Sequence, residues 1–200
     1  MGKLILEIQV SIDGFIAGID GNTNWMLWNW GPDWTWDEEL QQYHTDLTLS
    51  AACVLLSRQM AEEGFIAHWQ LAASDPADAR YEFAKHIVDT PKIVFSKTID
   101  RSVPIPGNWH NAAVCAEELV PAIKKLKEKY DTILVYGGAS FAASLIGANL
   151  VDEFHFFVNP VAIGAGMTIF TSIDTAKNMT LVKASSFKDG MVVLQYQLEQ

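Results

Sequence analysis

Hydrophobic positions alternate near the start of the chain, where Leu4, Leu6, Ile8 and Val10 share one face of a predicted strand. Further short apolar runs predict strands at 52–56, 92–96, 113–116, 132–136, 152–158, 181–187 and 191–198. Helical patterns lie between the earlier runs, notably over 58–69, 76–88 and 117–130. Strands that first alternate with helices and then follow one another predict an α/β fold. Its mostly parallel central sheet is flanked by helices and carries an antiparallel C-terminal hairpin.

Two local signals predict element boundaries. Thr35 and Glu38 have the spacing of a capping box, which predicts a helix that starts at Thr35 and runs to Leu49. Asp189-Gly190 lies between the last two strands and is a strong hairpin-turn signal. A link rich in proline, glycine and asparagine is predicted over 104–108. Since no linker divides the chain, we expect a single domain over 1–200.

A glycine pair marks one junction of a predicted strand and helix. The strand that ends at Tyr136 runs into Gly137-Gly138, and a helix follows from Ser140. Glycines let the main chain approach a ligand closely, and a helix start offers N–H groups to an anion. The pattern therefore predicts a phosphate-binding edge, with a tight turn that needs positive φ as the alternative.

Composition narrows the classes of function. A chain of 200 residues that is 50% hydrophobic and 19% charged suits one globular domain with a sizeable core. A formal net charge of −10 argues against nucleic acid or an anionic membrane as a partner. Cys53 and Cys115 lie in apolar runs and are expected as buried free thiols. No stretch predicts a signal peptide or a membrane span, so we expect a cytoplasmic protein. No metal site is predicted.

Seven short motifs follow one another along nearly the whole chain, at 11–17, Trp25, 56–58, 94–97, 135–139, 150–153 and 160–166. In this order they resemble the dihydrofolate reductase-like superfamily. The resemblance is closest to the C-terminal reductase domain of bacterial riboflavin-biosynthesis enzymes. It implies a homodimer and NADPH bound across the carboxyl ends of the strands.

The resemblance also implies which residues hold the cofactor. By this resemblance, the pyrophosphate is bound by Gly137, Gly138, Ala139 and Ser140, and Arg58 contacts a phosphate as well. Ser96 and Lys97 bind the adenosine 2′-phosphate, and Ile16 and Ala17 border the nicotinamide ring. A hydroxyl and an ammonium just beyond a strand can pair with a dianion, and an arginine at a helix start is unfavourable unless an anion accompanies it. The alternative for Arg58 and Lys97 is an ordinary solvated side chain.

On the substrate side, the folate-reducing branch carries a carboxylate on the helix after the position of Trp25. Asp33, Asp37 and Glu38 fall in this region, and Asp37 is our predicted catalytic residue because the capping box accounts for Glu38. Trp25 and Asp13 are predicted to bind the substrate, although Asp13 also reads as the first residue of an Asp-Gly turn.

The chain departs from the family pattern at two positions. Phe15 stands where riboflavin-pathway reductases usually carry a lysine, and Tyr136 where they tend to carry a glutamate. The resemblance also does not account for a cluster of five tryptophans: Trp25, Trp28, Trp30, Trp34 and Trp36. These rings either pack in the core or at a dimer contact, or they form an aromatic wall for a flat ligand ring.

The function predicted from the sequence is NADPH-dependent reduction of a small planar heterocycle, pterin-like or pyrimidine-like. One alternative is the 5-amino-6-(5-phosphoribosylamino)uracil reductase step of riboflavin biosynthesis, and another is dihydrofolate reduction. A third, from a different class, is a non-catalytic nucleotide-binding dimer module, because a fold alone does not determine chemistry.

Overall fold

The computed structural model describes residues 1–31, 33–99 and 109–199, and the link predicted at 104–108 lies outside them. The strands within these ranges are β1 (Lys3–Ser11), β2 (Cys53–Ser57), β3 (Lys92–Phe95), β4 (Ala112–Cys115), β5 (Thr132–Val135), β6 (Glu153–Asn159), β7 (Met179–Ser186) and β8 (Val192–Leu198). The helices are α1 (Glu38–Leu49), α2 (Arg58–Glu62), α3 (Phe65–Ala72), α4 (Tyr81–Asp89), α5 (Leu119–Lys129) and α6 (Ala139–Gly147).

The chain divides into two compact units whose segments interleave along the sequence. The first unit contains Met1–Gly2 and Tyr43–Gly138, and the second contains Lys3–Gln42 and Ala139–Gln200. Helix α1 therefore begins in the second unit and ends in the first. The expectation of a single domain over 1–200 stays a prediction.

Parallel strands form the sheet of the first unit. β3 pairs with β4 and with β2, and β2 pairs with β5, in each case in parallel. Val54, Leu55 and Leu56 are fully buried, as expected for a parallel strand covered on both faces. Because parallel strands end at the same edge, the residues that follow β2, β3 and β5 leave the sheet side by side.

The second unit combines parallel and antiparallel pairing. β1 pairs in parallel with β6, with Ser11 opposite Asn159, whereas β6 pairs antiparallel with β8 and β8 with β7. Gly190 has a φ of +91° in the turn that joins β7 to β8, a conformation that glycine adopts at little cost. The predicted α/β fold class, with mostly parallel strands and an antiparallel C-terminal hairpin, is confirmed.

Two predicted helices differ from the structure. The single helix predicted over 58–69 is two helices, α2 and α3, because Gly64 adopts a φ of +102° between them. The helix predicted from residue 76 begins only at Tyr81, after a turn in which the Asp75 and Asp78 carboxylates accept backbone N–H groups. The longest helix in the described ranges has 12 residues, and none there is long and apolar enough to cross a membrane.

The predicted capping box at the start of α1 is wrong. The helix begins at Glu38, and its cap is Asp37, whose Oδ1 accepts the Leu40 N–H at 2.9 Å. The Thr35 hydroxyl instead donates to the Leu27 carbonyl. An aspartate satisfies the first N–H groups of a helix as well as a threonine does, so the spacing alone misplaced the boundary by two residues.

Both cysteines are free, as predicted. Cys53 is completely buried in β2, and burial raises the pKa of its thiol to about 12, so it stays protonated. Cys115 is only half-buried, which corrects the expectation that both thiols are buried.

Candidate functional site

The carboxyl ends of β3, β2 and β5 place three predicted cofactor segments at one edge of the first unit. Ser57 lies opposite Phe95, and Leu55 lies opposite Val135. Arg58, the pair Ser96-Lys97 and the glycine pair after Tyr136 therefore follow directly on neighbouring strands. In open α/β sheets, ligands bind beyond this end of the strands.

Arg58 reaches across to the segment that follows β3. Its Nη1 donates to the Thr98 hydroxyl at 3.2 Å, and its Nε lies 3.7 Å from the Glu62 carboxylate. Ser57 caps α2 by accepting the Met60 N–H, which sets Arg58 as the first residue of that helix. An exposed arginine held at this position can turn toward a phosphate, for which its planar donors are well suited.

Ser96 and Lys97 form the turn after β3. The buried Ser96 hydroxyl oxygen accepts the N–H groups of Thr98 and Ile99 at 3.2 and 3.0 Å. It also lies 3.4 Å from the Thr98 hydroxyl, and either hydroxyl can donate in that contact. The Lys97 ammonium lies 2.6 Å from Glu118, and both side chains are more than half exposed. Exposed ion pairs of this kind are weak, and a phosphate dianion can compete with Glu118 for the lysine.

The glycine pair has the positive φ of the tight turn that the sequence offered as the alternative to a phosphate-binding edge. Gly137 and Gly138 have φ values of +108° and +84°, and α6 begins at the next residue, Ala139. Both glycines are therefore required, since residues with a Cβ rarely adopt this region. Ser140 is exposed in the first turn of α6, where backbone N–H groups favour an anion.

In the second unit, Asp13 holds a loop rather than leaving its carboxylate open to a ligand. It accepts the Ser11 hydroxyl at 2.6 Å, the Ile163 N–H at 3.2 Å and the Gly164 N–H at 2.7 Å. These hydrogen bonds, chiefly those from Ser11 and Gly164, lower the pKa of Asp13. Its contacts support the turn interpretation, and its role in substrate binding stays a prediction.

The loop that Asp13 holds packs against the two residues predicted to border the nicotinamide. The Ile16 N–H donates to the Met167 carbonyl at 2.9 Å, and the Met167 N–H donates to the Ala17 carbonyl at 2.8 Å. A Cβ at Gly166 would lie 2.2 Å from the Ala17 oxygen, so only glycine allows this approach. Ile16 and Ala17 are both buried, and their role beside a nicotinamide ring stays a prediction.

Both carboxylate oxygens of Asp37 accept hydrogen bonds. Besides capping α1, its Oδ2 accepts the Lys188 N–H at 2.6 Å, while its own N–H donates to Asp189 Oδ2 at 3.1 Å. The hydrogen bond from Leu40, followed by those from Lys188 and Asp189, lowers the pKa of Asp37. These contacts give Asp37 a structural task, and an ionised carboxylate is a poor proton donor at neutral pH. Its catalytic role stays a prediction.

The tryptophan cluster separates into a packed group and Trp25. Trp28 contacts the rings of Trp30, Trp34 and Trp36 at centroid distances of 4.9–5.4 Å. Trp28 and Trp36 are 2% and 3% exposed, so these two rings are core packing rather than a wall for a ligand. Trp25 is half-buried, and its indole N–H donates to the Asn22 carbonyl at 3.2 Å.

An amide pair that the sequence did not reveal, the buried Asn159 and the half-buried Gln9, anchors this tryptophan segment. The Asn159 side chain at the end of β6 accepts the Leu27 N–H at 2.8 Å and donates to Gln9 Oε1 at 3.1 Å. Gln9 in turn donates to the Trp28 carbonyl at 2.9 Å. Thr98 and Glu118, the partners of Arg58 and Lys97, were missed as well. The sequence signal for each is a position three residues beyond a strand end.

The two departures from the family pattern lie in different surroundings. Tyr136 is 7% exposed, and its hydroxyl hydrogen-bonds the Thr48 hydroxyl at 2.7 Å among the rings of Phe65 and Phe83. It is a core residue of the first unit. Phe15 is half-buried, and its Cβ lies against Gly166. Neither side chain offers the charge that the family usually places there.

The parallel strands of the first unit end in basic and glycine-rich segments. This arrangement is typical of α/β proteins that bind a ligand beyond the carboxyl ends of their strands. The sequence model of the RibD C-terminal domain family matches residues 2–193. The chain belongs to this family, which confirms the resemblance stated from the seven motifs.

Individual proteins agree with this assignment. The uncharacterized protein YyaP of Bacillus subtilis is 28% identical over 196 residues, which cover 97% of this chain and 94% of YyaP. A putative riboflavin biosynthesis protein from Shewanella sp. PV-4 superimposes with a TM-score of 0.71 at 19% identity, covering 99% of both chains. A Thermotoga maritima diaminohydroxyphosphoribosylaminopyrimidine deaminase/5-amino-6-(5-phosphoribosylamino)uracil reductase gives 0.67 at 14% identity, covering 99% of this chain and 57% of that one. At these identities, the two solved structures support the fold alone.

Proposed function

We propose that this protein is an NADPH-dependent reductase of a small planar heterocycle. The observation that carries the proposal is the edge of the first unit, where neighbouring parallel strands end in Ser57-Arg58, Ser96-Lys97 and Gly137-Gly138. Membership in the RibD C-terminal domain family supports the reductase class. The described partners of Arg58 and Lys97 are exposed surface groups that a phosphate can replace.

Each group at this edge has a distinct task in the proposal. Lys97 and the Ser96 hydroxyl hold the 2′-phosphate, since an ammonium and a hydroxyl together offer several donors to one dianion. Arg58 and the backbone of Gly137 and Gly138 hold the pyrophosphate. NAD-specific sites instead place an acid near the ribose hydroxyl. An acid at this edge, Glu118, is paired with Lys97, and the cations Arg58 and Lys97 favour NADPH over NADH.

Bound NADPH supplies a hydride to a C=N or C=O carbon of the substrate. The protein itself orients the cofactor and the substrate and excludes water from the site. Ile16 and Ala17 are held in place by Met167, and Asp13 fixes the far end of the same loop. The pKa of Asp37 is lowered by its hydrogen bonds, so the proposal does not depend on Asp37 as the proton donor.

Isothermal titration of NADPH and NADH tests the cofactor site. NADPH should bind about tenfold more tightly than NADH, and Lys97→Ala should remove most of this difference because the 2′-phosphate loses its cation. Arg58→Ala should weaken both nucleotides. Lys125→Ala is the matched control, because Lys125 forms an equally exposed 2.6 Å pair with Glu117. Equal affinity for both nucleotides in the wild type would contradict the cofactor assignment.

NADPH oxidation, followed by absorbance with pterins and pyrimidines as acceptors, tests the reductase activity. Turnover with one of these rings supports the proposal. NADPH that binds but is not oxidised by any ring offered favours the non-catalytic nucleotide-binding module. The resemblance also leads us to propose a homodimer, and a monomer mass by light scattering at micromolar concentration would contradict it.

A further inference from the structure

We infer that the substrate of this reductase carries no phosphate group and is an uncharged or cationic planar ring. The inference rests on the proposed function and adds the class of substrate. Its first support is the distribution of cations. The chain has no lysine or arginine over 4–57 or over 130–176. These stretches include every residue predicted on the substrate side.

One cation of the second unit, Lys188, adjoins those residues, and the others lie away from them or are paired within that unit. It holds four lysines and no arginine. Lys3, at the amino end of β1, pairs with Glu153; Lys177 donates to Asn149; and Lys183 lies within β7. Lys188 contacts Asp37 only through its backbone, and its ammonium lies 3.8 Å from Glu39. By contrast, Arg58 and Lys97 both lie in the first unit.

The substrate-side segments offer exposed apolar side chains instead. Ile12 and Ile19 are 66% and 77% exposed, and Leu27 and Met167 are each more than a third exposed. Backbone N–H groups of three of them form hydrogen bonds at or after the carboxyl ends of β1 and β6. Ile12 N–H donates to Val161 at 2.8 Å, Leu27 N–H donates to the Asn159 side chain, and Met167 bridges to Ala17. Large exposed apolar side chains on segments joined by hydrogen bonds are a candidate binding surface for an apolar ring.

The charged groups of the same segments are carboxylates. Asp13, Asp20 and Asp33 are exposed, and hydrogen bonds lower the pKa of Asp13, which keeps it ionised at neutral pH. A phosphate dianion placed here would lose water without gaining a cation and would meet like charges. A flat uncharged ring loses little hydration free energy at this surface, because its faces pack on apolar groups. Phe15, which stands where riboflavin-pathway reductases usually have a lysine, fits the same preference.

Matched ligand pairs test the inference without depending on turnover. Riboflavin with riboflavin 5′-phosphate, and uridine with uridine 5′-phosphate, differ within each pair only by the phosphate. Each is titrated calorimetrically at low ionic strength with saturating NADP⁺, which occupies the phosphate edge of the first unit. The unphosphorylated member of at least one pair should bind about tenfold more tightly or better. A phosphorylated member that binds equally well or better, or no binding by any of the four ligands, overturns the inference.

Two variants add a cation to this surface. Phe15→Lys and Ile12→Lys should each raise affinity for the phosphorylated member at least about fivefold and leave the other member within about twofold. Ile12 is largely exposed, so its variant keeps the test valid if Phe15→Lys fails to fold. Lys188→Ala should leave the preference unchanged. NADP⁺ that does not bind refutes the proposed function, whereas NADP⁺ binding with a preference for phosphate refutes the inference alone.

Discussion

Replacing Glu153 with glutamine perturbs a buried charge network in the second unit. The Glu153 carboxylate, in a residue that is 4% exposed, accepts His155 Nε2 at 2.7 Å, Lys3 Nζ at 3.0 Å and Gln195 Nε2 at 3.0 Å. The hydrogen bond from His155, together with that from Lys3, lowers the pKa of Glu153 from 4.5 to about 2, against the opposing effect of burial. An amide at this position turns an NH₂ group toward one of the donors.

The size of the effect follows from the pKa. A fall from 4.5 to about 2 corresponds to about 3 kcal/mol of folding free energy. Because the folded state has the lower pKa, this stability is fully present above the unfolded value of 4.5 and is lost as the pH falls toward 2. The variant lacks the contribution at every pH. At neutral pH we expect its Tm to be about 6–12 °C lower.

Urea unfolding, followed by tryptophan fluorescence from neutral pH into the acid range, measures this contribution. The difference between wild type and variant should be about 3 kcal/mol at neutral pH and should shrink below pH 4.5. Glu39→Gln is the control, since Glu39 is 70% exposed and lies 3.8 Å from its lysine. A difference that is constant across the acid range would refute the reasoning, because it would not come from ionisation of Glu153.

The remaining predictions concern the helix cap, the loop after β6 and Tyr136. Asp37→Ala should lower Tm by a few degrees and Asp37→Asn by less, since the amide oxygen still accepts the Leu40 N–H; full reductase activity in Asp37→Asn would remove Asp37 as the acid. Gly166→Ala should lower the free energy of unfolding by about 2 kcal/mol or more, because the new Cβ meets the Ala17 carbonyl. Gly21→Ala is the control: its Cβ lies in open space, and its positive φ alone should cost about 1 kcal/mol. Equal losses of Tm in the two variants would contradict the clash at Gly166. Tyr136→Phe removes the bond to Thr48 and should cost about 1–2 kcal/mol in urea unfolding, and a large loss of NADPH affinity would count against a core role.

The sequence was most informative where one local rule decides the structure. Alternating apolar residues predicted β1, and the Asp189-Gly190 pair predicted the hairpin. The positive φ of Gly137 and Gly138 follows from the tight turn that was the alternative interpretation of this pair. Each of these features depends on residues close together in the chain. The order of strands and helices then determined the fold class, because parallel strands need helical crossovers.

Features that depend on distant partners could not be predicted in this way. Asp37 caps α1 and also binds Lys188, which is 151 positions away, so the capping-box spacing of Thr35 was misleading. Arg58 meets Thr98 across 40 positions, and Lys97 meets Glu118 across 21. The motifs indicated the residues of the candidate edge, but the groups that hold them in place depend on the pairing of β2, β3 and β4.

The central claim is that the carboxyl ends of β2, β3 and β5 bind the phosphates of NADPH, and a crystal structure of the NADP⁺ complex tests it most directly. We expect the 2′-phosphate within hydrogen-bond distance of Lys97 and Ser96, and the pyrophosphate against Arg58 and the backbone of Gly137 and Gly138. Nucleotide phosphates bound away from all of these residues, with Lys97 still paired to Glu118, would contradict the account.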